Sequence, residues 1–351
     1  MLTYILKRLL LMIPTLFGIL LITFAVIQFV PGGPVEQLVQ TLTRGDNSGA
    51  GEVGQAHTLY RGTKGVDPQK LEEIKQLYGF DKPVHERFWQ MVKGFVQLDL
   101  GQSFFHNKTV WQLMMEKMPV SISLGLWSFL LAYAISIPLG IAKAVRHGTR
   151  FDTWTSVAIL VGYAIPGFVL GVALLVLFGG GSFFQLFPLR GLTSDGWAQL
   201  SLFGKILDYF WHLVLPLTCL VLGSFAVNAI LTKNSFLEEI RKQYVLTARA
   251  KGLSERSVLY KHVFRNALIP IVTGFPAAFI GAFFTGALLI ETLFSLDGLG
   301  LLSYESVIKR DYPVVMGTLF FFSMLHLIAK LLNDLMYVWI DPRLKFEGSA
   351  S

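Results

Sequence analysis

A single cysteine, Cys219, stands among 351 residues, so no disulfide can form within the chain and no cysteine-built metal site is available. The seven histidines are scattered, with no pair at the spacing that sets two imidazoles on one helix face. No metal site is expected. Charge is scarce as well, at 15% Asp, Glu, Lys and Arg against roughly a quarter in soluble domains. Together with 53% hydrophobic and 13% aromatic residues, that scarcity excludes a water-soluble chain and defines an all-α integral membrane protein. The net charge of +7 is shared among loops rather than gathered in a patch interleaved with aromatics, so nucleic acid is not an expected partner. The basic residues read as topology signals beside membrane lipid. No Gly-x-Ser-x-Gly elbow occurs and Asp334 has no second intramembrane aspartate, which argues against an intramembrane hydrolase. Gly179-Gly180-Gly181 lacks the Gly-Lys-Ser/Thr ending of a phosphate loop, so the chain is expected to bind no cofactor and not to hydrolyse ATP by itself.

What the chain has is long apolar runs. Six can cross a hydrocarbon core of about 30 Å at 1.5 Å per residue: 9–30, 121–142, 154–178, 211–231, 268–290 and 314–340. Lys7 and Arg8 precede the first, and Lys143, Arg146, His147 and Arg150 follow the second. Such flanks stay inside, so six transmembrane helices with both termini cytoplasmic are predicted. The first run is too long for a leader and ends at Pro31-Gly32-Gly33-Pro34 without a small-x-small cleavage pattern, so it is expected to be retained. Pro166-Gly167 predicts a kink in the third span. Gly274, Gly281 and Gly286 predict close helix approach along the fifth. At its outer end Glu291 is read either as an interface-level charge that snorkels or as a gate or binding-protein contact. Lys330 and Asp334, four apart on the last span, are expected to neutralise each other or to serve the pathway.

Residues 31–119 form a polar excursion on the outer side, read as a periplasmic cap. Within it 44–65 carries no hydrophobic period and is read as a loop, while Asp67-Pro68 opens a helix with Leu71, Ile74 and Leu77 on one face. A second amphipathic helix from Val84 to about 98 places Phe88, Met91, Val92 and Phe95 together. The rest divides into the start and first span at 1–30, a membrane core at 120–343 and a short tail at 344–351.

The longest polar interruption in the second half is Tyr244 to Pro270. Between Lys233 and Arg265 there are eight Lys or Arg against Glu238, Glu239 and Glu255, the strongest positive bias in the chain, which places this loop inside. It reads as two short helices meeting at Gly252, which can take the left-handed conformation that closes a helix, with Ser254 as N-cap of the second. Ala248, Ala250 and Gly252 are expected to leave a low surface that another protein's backbone could approach.

The pattern Thr247-Ala248-Arg249-Ala250-Lys251-Gly252-Leu253, then His262, Arg265-Asn266-Ala267 and Pro270, resembles the cytoplasmic coupling loop of binding-protein-dependent ABC importer permeases in their dipeptide/oligopeptide form. The general family opens Glu-Ala-Ala with a Gly four residues after the last Ala. Gly252 and Ala248 keep that spacing, Leu246 and Thr247 replace the first two residues, and Ile-x-Leu-Pro, which would fall at His262 to Arg265, is unmatched. The outer elements Gly79-Phe80-Asp81-Lys82-Pro83 and Asp99-Leu100-Gly101-Gln102-Ser103 are similar to the same branch. So are Glu291-Thr292-Leu293-Phe294-Ser295-Leu296-Asp297-Gly298-Leu299-Gly300 and Arg310-Asp311-Tyr312-Pro313. Within it, Met114-x-x-x-Met118-Pro119-Val120-Ser121-Ile122-Ser123-Leu124-Gly125-Leu126-Trp127 and the long Gly-rich outer loop look most like the Yej-type subunits.

The resemblance covers nearly the whole chain, from Lys7 to Arg343. It implies a type I ABC importer permease fold in a bacterial inner membrane. It also implies a heterodimer with a second permease, two partner ATPase domains using ATP and Mg, and a periplasmic solute-binding protein. Peptides are the implied solute, with nickel or another small solute as the alternative within the family. An ion-coupled secondary transporter working through Lys330 and Asp334 is the alternative outside it. Carried over by motif, ATPase coupling falls on Thr247, Ala248, Arg249, Ala250, Lys251, Gly252, Leu253, His262, Arg265 and Asn266; pathway or gate roles fall on Glu291, Lys330 and Asp334 as ionisable residues within or beside spans.

Overall fold

Hydropathy, helix propensity and the need to satisfy every backbone group inside lipid leave helices as the element available to such runs. A computed structural model describes residues 2–29, 82–179, 183–284 and 287–340. The expectations for the Gly-rich loop at 44–65, the helix over Leu71 to Leu77, Gly180-Gly181, Gly286 and the end from 341 onward lie outside those residues. The elements are α1 (Leu2–Phe29), α2 (Val84–Val96), α3 (Val110–Val145), α4 (Arg150–Ala164), α5 (Gly167–Leu174, continued by a π turn to Gly179) and α6 (Leu202–Ile240). There follow α7 (Gln243–Ala250), α8 (Glu255–Thr273), α9 (Phe275–Phe284), α10 (Leu288–Leu293), α11 (Leu299–Lys309) and α12 (Tyr312–Ile340). No strand occurs among the described residues.

Stretches within α1, α3, α6 and α12 are each long and apolar enough to cross a membrane, and two bent pairs, α4 with α5 and α8 with α9, complete six spans. The third span departs from the predicted kink, since its halves meet at 88°. Proline disfavours the α region for the residue before it, and here Ile165 is extended (φ −84°, ψ 117°), so the helix stops and restarts at Gly167. A Cβ at Gly167 would sit 3.0 Å from the Cys219 carbonyl oxygen of α6. The fifth span bends by 44° where α8 meets α9.

The chain divides into two compact units. In the larger, drawn from Met1–Ile5, Lys117–Leu301 and Leu325–Ser351, one apolar core gathers Leu124, Leu213, Leu215, Leu217, Cys219, Ile290, Phe294 and Leu296. Helices α3 and α6 cross without space for a side chain, because a Cβ on Gly140 would meet Thr232 at 2.5 Å and the Ala229 carbonyl at 2.8 Å. Of the three glycines expected to do this on the fifth span, Gly274 would meet nothing closer than 3.7 Å.

The second unit comprises Leu6–Glu116 and Leu302–Met324. Here α2 forms as predicted, burying Phe88 and Phe95. Phe88 packs on Phe17 and Phe24 (ring centroids 5.7 and 5.2 Å apart) and Phe95 on Phe320 (5.1 Å). Two outer motifs far apart in sequence meet here. Asp311, 2% exposed, accepts hydrogen bonds from the Ser103 hydroxyl and, at 3.1 Å, from the Phe104 N–H.

Candidate coupling hairpin and buried charge sites

The loop between the fourth and fifth spans is a closed helical hairpin. Helix α7 ends at Gly252, whose φ of +78° is the left-handed region where glycine carries no steric cost. Its N–H donates to the Arg249 carbonyl (2.9 Å), and that of Leu253 to the Ala248 carbonyl (3.4 Å), the paired bonds of a Schellman stop. Ser254 then caps α8, accepting from the Ser257 N–H at 3.4 Å. Arg249 reaches across the turn to Glu255 in a two-pronged ion pair (2.8 and 2.9 Å).

The tip is exposed at Thr247, Arg249, Ala250, Lys251, Gly252 and Leu253, and His262 and Arg265 are exposed along α8. Asn266 is half-buried. Ala248 points the other way, and at 6% exposure it belongs to the hairpin's own core with Val245, Val258, Val263 and Ala267. The low surface expected at Ala248 is therefore absent, because position 248 falls on the inward stripe of α7 with Val245. That core includes Ala144 of α3 and Phe236 of α6. The Ser235 hydroxyl donates to the Ala267 carbonyl at 2.6 Å, close to Pro270, where the helix lacks an N–H. At the base, a side-chain hydrogen bond with Glu239 holds the Lys242 ammonium above its usual range, and the Tyr244 hydroxyl donates to Glu239 at 2.7 Å. The hairpin is thus fastened to two spans. A π turn at Val258–Val263 shifts the register of its second arm.

Beside it lies a cluster that the sequence reading missed. Asp152, 5% exposed, accepts from Lys233 of α6 at 2.7 and 2.8 Å and sits 3.1 Å from Lys143 of α3. Lys143, 1% exposed, also donates to Thr155 (2.8 Å), Ser156 (2.7 Å) and the Asp152 carbonyl (2.9 Å). The Gly148 N–H and His147 Nδ1 both stand 3.2 Å from Asp152 Oδ2. One carboxylate thereby ties the inner ends of the second, third and fourth spans. The local signal marks only the start of α4: Thr149 is its N-cap, accepting from the Asp152 N–H at 3.5 Å.

Glu291 does not snorkel. It is 0% exposed, and its carboxylate accepts from the Leu301 N–H (2.7 Å) and the Ser121 hydroxyl (3.3 Å). Ser121 in turn accepts from the Leu299 N–H at 2.8 Å. The turn from Leu296 to Leu301 wraps so closely that a Cβ on Gly298 would lie 2.5 Å from the carboxyl. The geometry explains the run Asp297-Gly298-Leu299-Gly300, whose backbone must come up against an anion. No ion pair joins Lys330 and Asp334 among the described residues. Asp334 instead accepts from the Tyr4 hydroxyl at 2.8 Å, and Lys330 is exposed. Among the described residues no cluster of His, Cys, Asp and Glu could hold a metal.

Six spans with a cytoplasmic hairpin between the fourth and fifth, packed on the inner ends of the second and fourth, are the arrangement of an ABC importer's membrane subunit. The family described as "Binding-protein-dependent transport system inner membrane component" matches residues 136–346, and its N-terminal companion matches 52–125. The chain belongs to this family of inner-membrane permeases. It is 57% identical over 357 residues to the peptidoglycan transport system permease protein YejB of Agrobacterium fabrum, covering 98% of both chains. It is 49% identical over 362 residues to the inner membrane ABC transporter permease protein YejB of Escherichia coli O157:H7, covering 98% of this chain and 99% of that one. To the dipeptide transport system permease protein DppB of Escherichia coli K12 it is 31% identical over 363 residues, with 98% and 99% covered. A chain from inward-facing structures of the MetNI methionine ABC transporter shares the fold, with a TM-score of 0.50 and 17% identity over 66% of this chain and 97% of that one. The protein is therefore a multi-pass bacterial inner-membrane permease and not itself an enzyme. Family membership implies ATPase, second permease and substrate-binding partners.

Proposed function

We propose that this chain forms half of a heterodimeric pathway for peptides or peptide-bearing cell-wall fragments. A periplasmic binding protein delivers the solute, and two ATPase domains that use ATP and Mg drive transport. In this reading 31–119 is the outer cap, 120–343 the permease core and 233–265 the coupling loop. The supporting observation is mechanical. The hairpin shares an apolar core with α3 and α6 and is pinned to α6 by Ser235, so a push on its tip is delivered to the spans and not absorbed in a slack loop. ATPase closure would move the exposed tip from Thr247 to Leu253, and α6 and α8 would rock with it, alternating outward and inward access.

The test is purification of the assembled importer from membranes with and without Gly252→Trp. No atom lies within 4 Å of a Cβ placed at Gly252, so the bulk extends outward from the tip and the membrane fold is expected to survive at a cost of about 1–2 kcal/mol for the left-handed backbone. The expected result is co-purification of a second permease and an ATPase with the unaltered chain, and loss of the ATPase, or of peptide uptake, in the variant. Normal peptide uptake by the variant overturns the tip as docking surface, and uptake of nickel in place of peptides overturns the substrate.

A further inference from the structure

Within the larger unit, one face each of α3, α6 and α9 surrounds an open cavity of about 390 Å³, inside the range of about 300–1,000 Å³ typical of small-ligand sites. Leu124, Ser128 and Ala132 mark the face of α3, Leu220, Ser224 and Asn228 that of α6, and Ala278 and Ala282 that of α9. Each set repeats at helical spacing. The polar lining is Ser121, Ser128, Tyr133, Ser224, Asn228 and Glu291. Four of these six are already engaged. Ser121 and Glu291 hold the outer turn, the Ser128 hydroxyl donates to the Gly125 carbonyl (3.0 Å), and that of Ser224 to the Val221 carbonyl (3.3 Å). The Tyr133 hydroxyl and the Asn228 side-chain amide make no hydrogen bond to any described residue, yet neither is sealed from solvent. The Tyr133 ring is fixed between Phe129 and Phe275 (centroids 4.6 and 5.6 Å away).

Polar groups within a span cost several kcal/mol when left unpaired in hydrocarbon. Two such groups opening into one cavity therefore mark a surface that water or a solute wets. The lining holds no cation, and its one carboxylate is taken up by its own turn. What remains is a hydroxyl and a carboxamide, each both donor and acceptor. A carboxamide can meet the N–H and the C=O of one residue of an extended peptide with two parallel hydrogen bonds, whatever side chains the peptide carries. We propose that this cavity is the chain's share of the transport path, and that Tyr133 and Asn228 are its solute-contacting residues, recognising the backbone amides of an extended peptide. The proposal rests on the reading of the solute given above.

The isolated, buried cysteine makes the test direct. In the whole importer carrying Cys219→Ala, Asn228→Cys is exposed to a small cationic methanethiosulfonate, with Val227→Cys, one position round the helix and 54% exposed on its outer side, as control. Ser224→Cys replaces Asn228→Cys if the latter fails to assemble. Modification in the cavity is expected to be at least tenfold faster than at Val227 and to be slowed by trialanine. Tyr133→Phe and Asn228→Leu are expected to raise KM for lysine-bearing and glutamate-bearing tripeptides alike, by threefold or more, with ATP hydrolysis retained. Equal labelling at the two positions overturns the wetted path. Rapid labelling with unchanged KM overturns the contact role. An unaltered importer that takes up no peptide, while labelling remains cavity-specific, overturns the solute reading and the amide ligand with it, leaving the path intact.

Discussion

Two of the buried carboxylates, Asp152 and Glu291, carry equal formal charge and are held in unlike ways. At the inner ends of the spans Asp152 is met by two ammonium groups, Lys143 and Lys233, while at the outer end Glu291 is met by a hydroxyl and a backbone N–H. An ion hub binds its partners reciprocally, so removing the anion leaves one buried and one half-buried cation, Lys143 and Lys233. A carboxylate wrapped in neutral donors leaves only polar groups behind. The inner site is therefore the more rigid joint, and in the proposed mechanism it lies where hairpin motion would enter the spans. The outer site holds a single turn.

The largest effect expected follows from this difference. Asp152→Ala should destabilise by about 3–5 kcal/mol, the cost of breaking a buried pair from one side. Glu291→Gln, which keeps an oxygen for the Leu301 N–H, should cost about 1–3 kcal/mol. Thermal unfolding of the purified importer, with size-exclusion to confirm assembly, compares them. Equal losses would mean that the surplus lysine at the hub is neutralised by something other than Asp152, and the contrast between the two sites would fall.

These two sites also show where sequence reading reached and where it stopped. The six spans, the orientation, the apolar face of α2 and the Gly252 stop with its Ser254 cap were legible, because each rests on hydropathy or on residues a few positions apart. Lys143 and Lys233 were read as topology markers. A lysine just inside the membrane serves orientation whether or not it also finds an anion, and nothing local shows that Asp152 lies between them. The spacing of Lys330 and Asp334 suggested a pair, but Tyr4, 330 positions away, takes the acid. Pro166 announced a break, yet the angle of 88° depends on how closely Gly167 approaches α6. The tip of the hairpin was visible, and the inward turn of Ala248 was not, since it requires the packing of α7 against α8.

A middle-sized effect probes the outer site from its other side. Gly298→Ala puts a methyl 2.5 Å from the Glu291 carboxyl carbon, and overpacking of this kind costs about 1–3 kcal/mol. If the crowding is with that carboxyl alone, Gly298→Ala should cost almost nothing in a chain that already carries Glu291→Ala. The double-mutant cycle then returns a coupling of similar size to the single loss. Additive losses would show that the glycine is required by the backbone turn rather than by the anion it encloses.

The smallest effect separates burial from pairing. Arg249 and Glu255 make a two-pronged ion pair with better geometry than Lys143 has with Asp152, but their side chains are 39% and 74% exposed, against 1% and 7% at the hub. Exposed pairs contribute about 0–1 kcal/mol because water and salt screen them. Glu255→Gln should therefore lower stability by less than about 1 kcal/mol, with the difference from the unaltered chain fading as salt is raised, whereas the Asp152→Ala loss should persist. A loss at Glu255 as large as that at Asp152 would move the rigid joint from the buried hub to the hairpin tip, and coupling would then depend on the turn itself rather than on how the hairpin is anchored to α3 and α6.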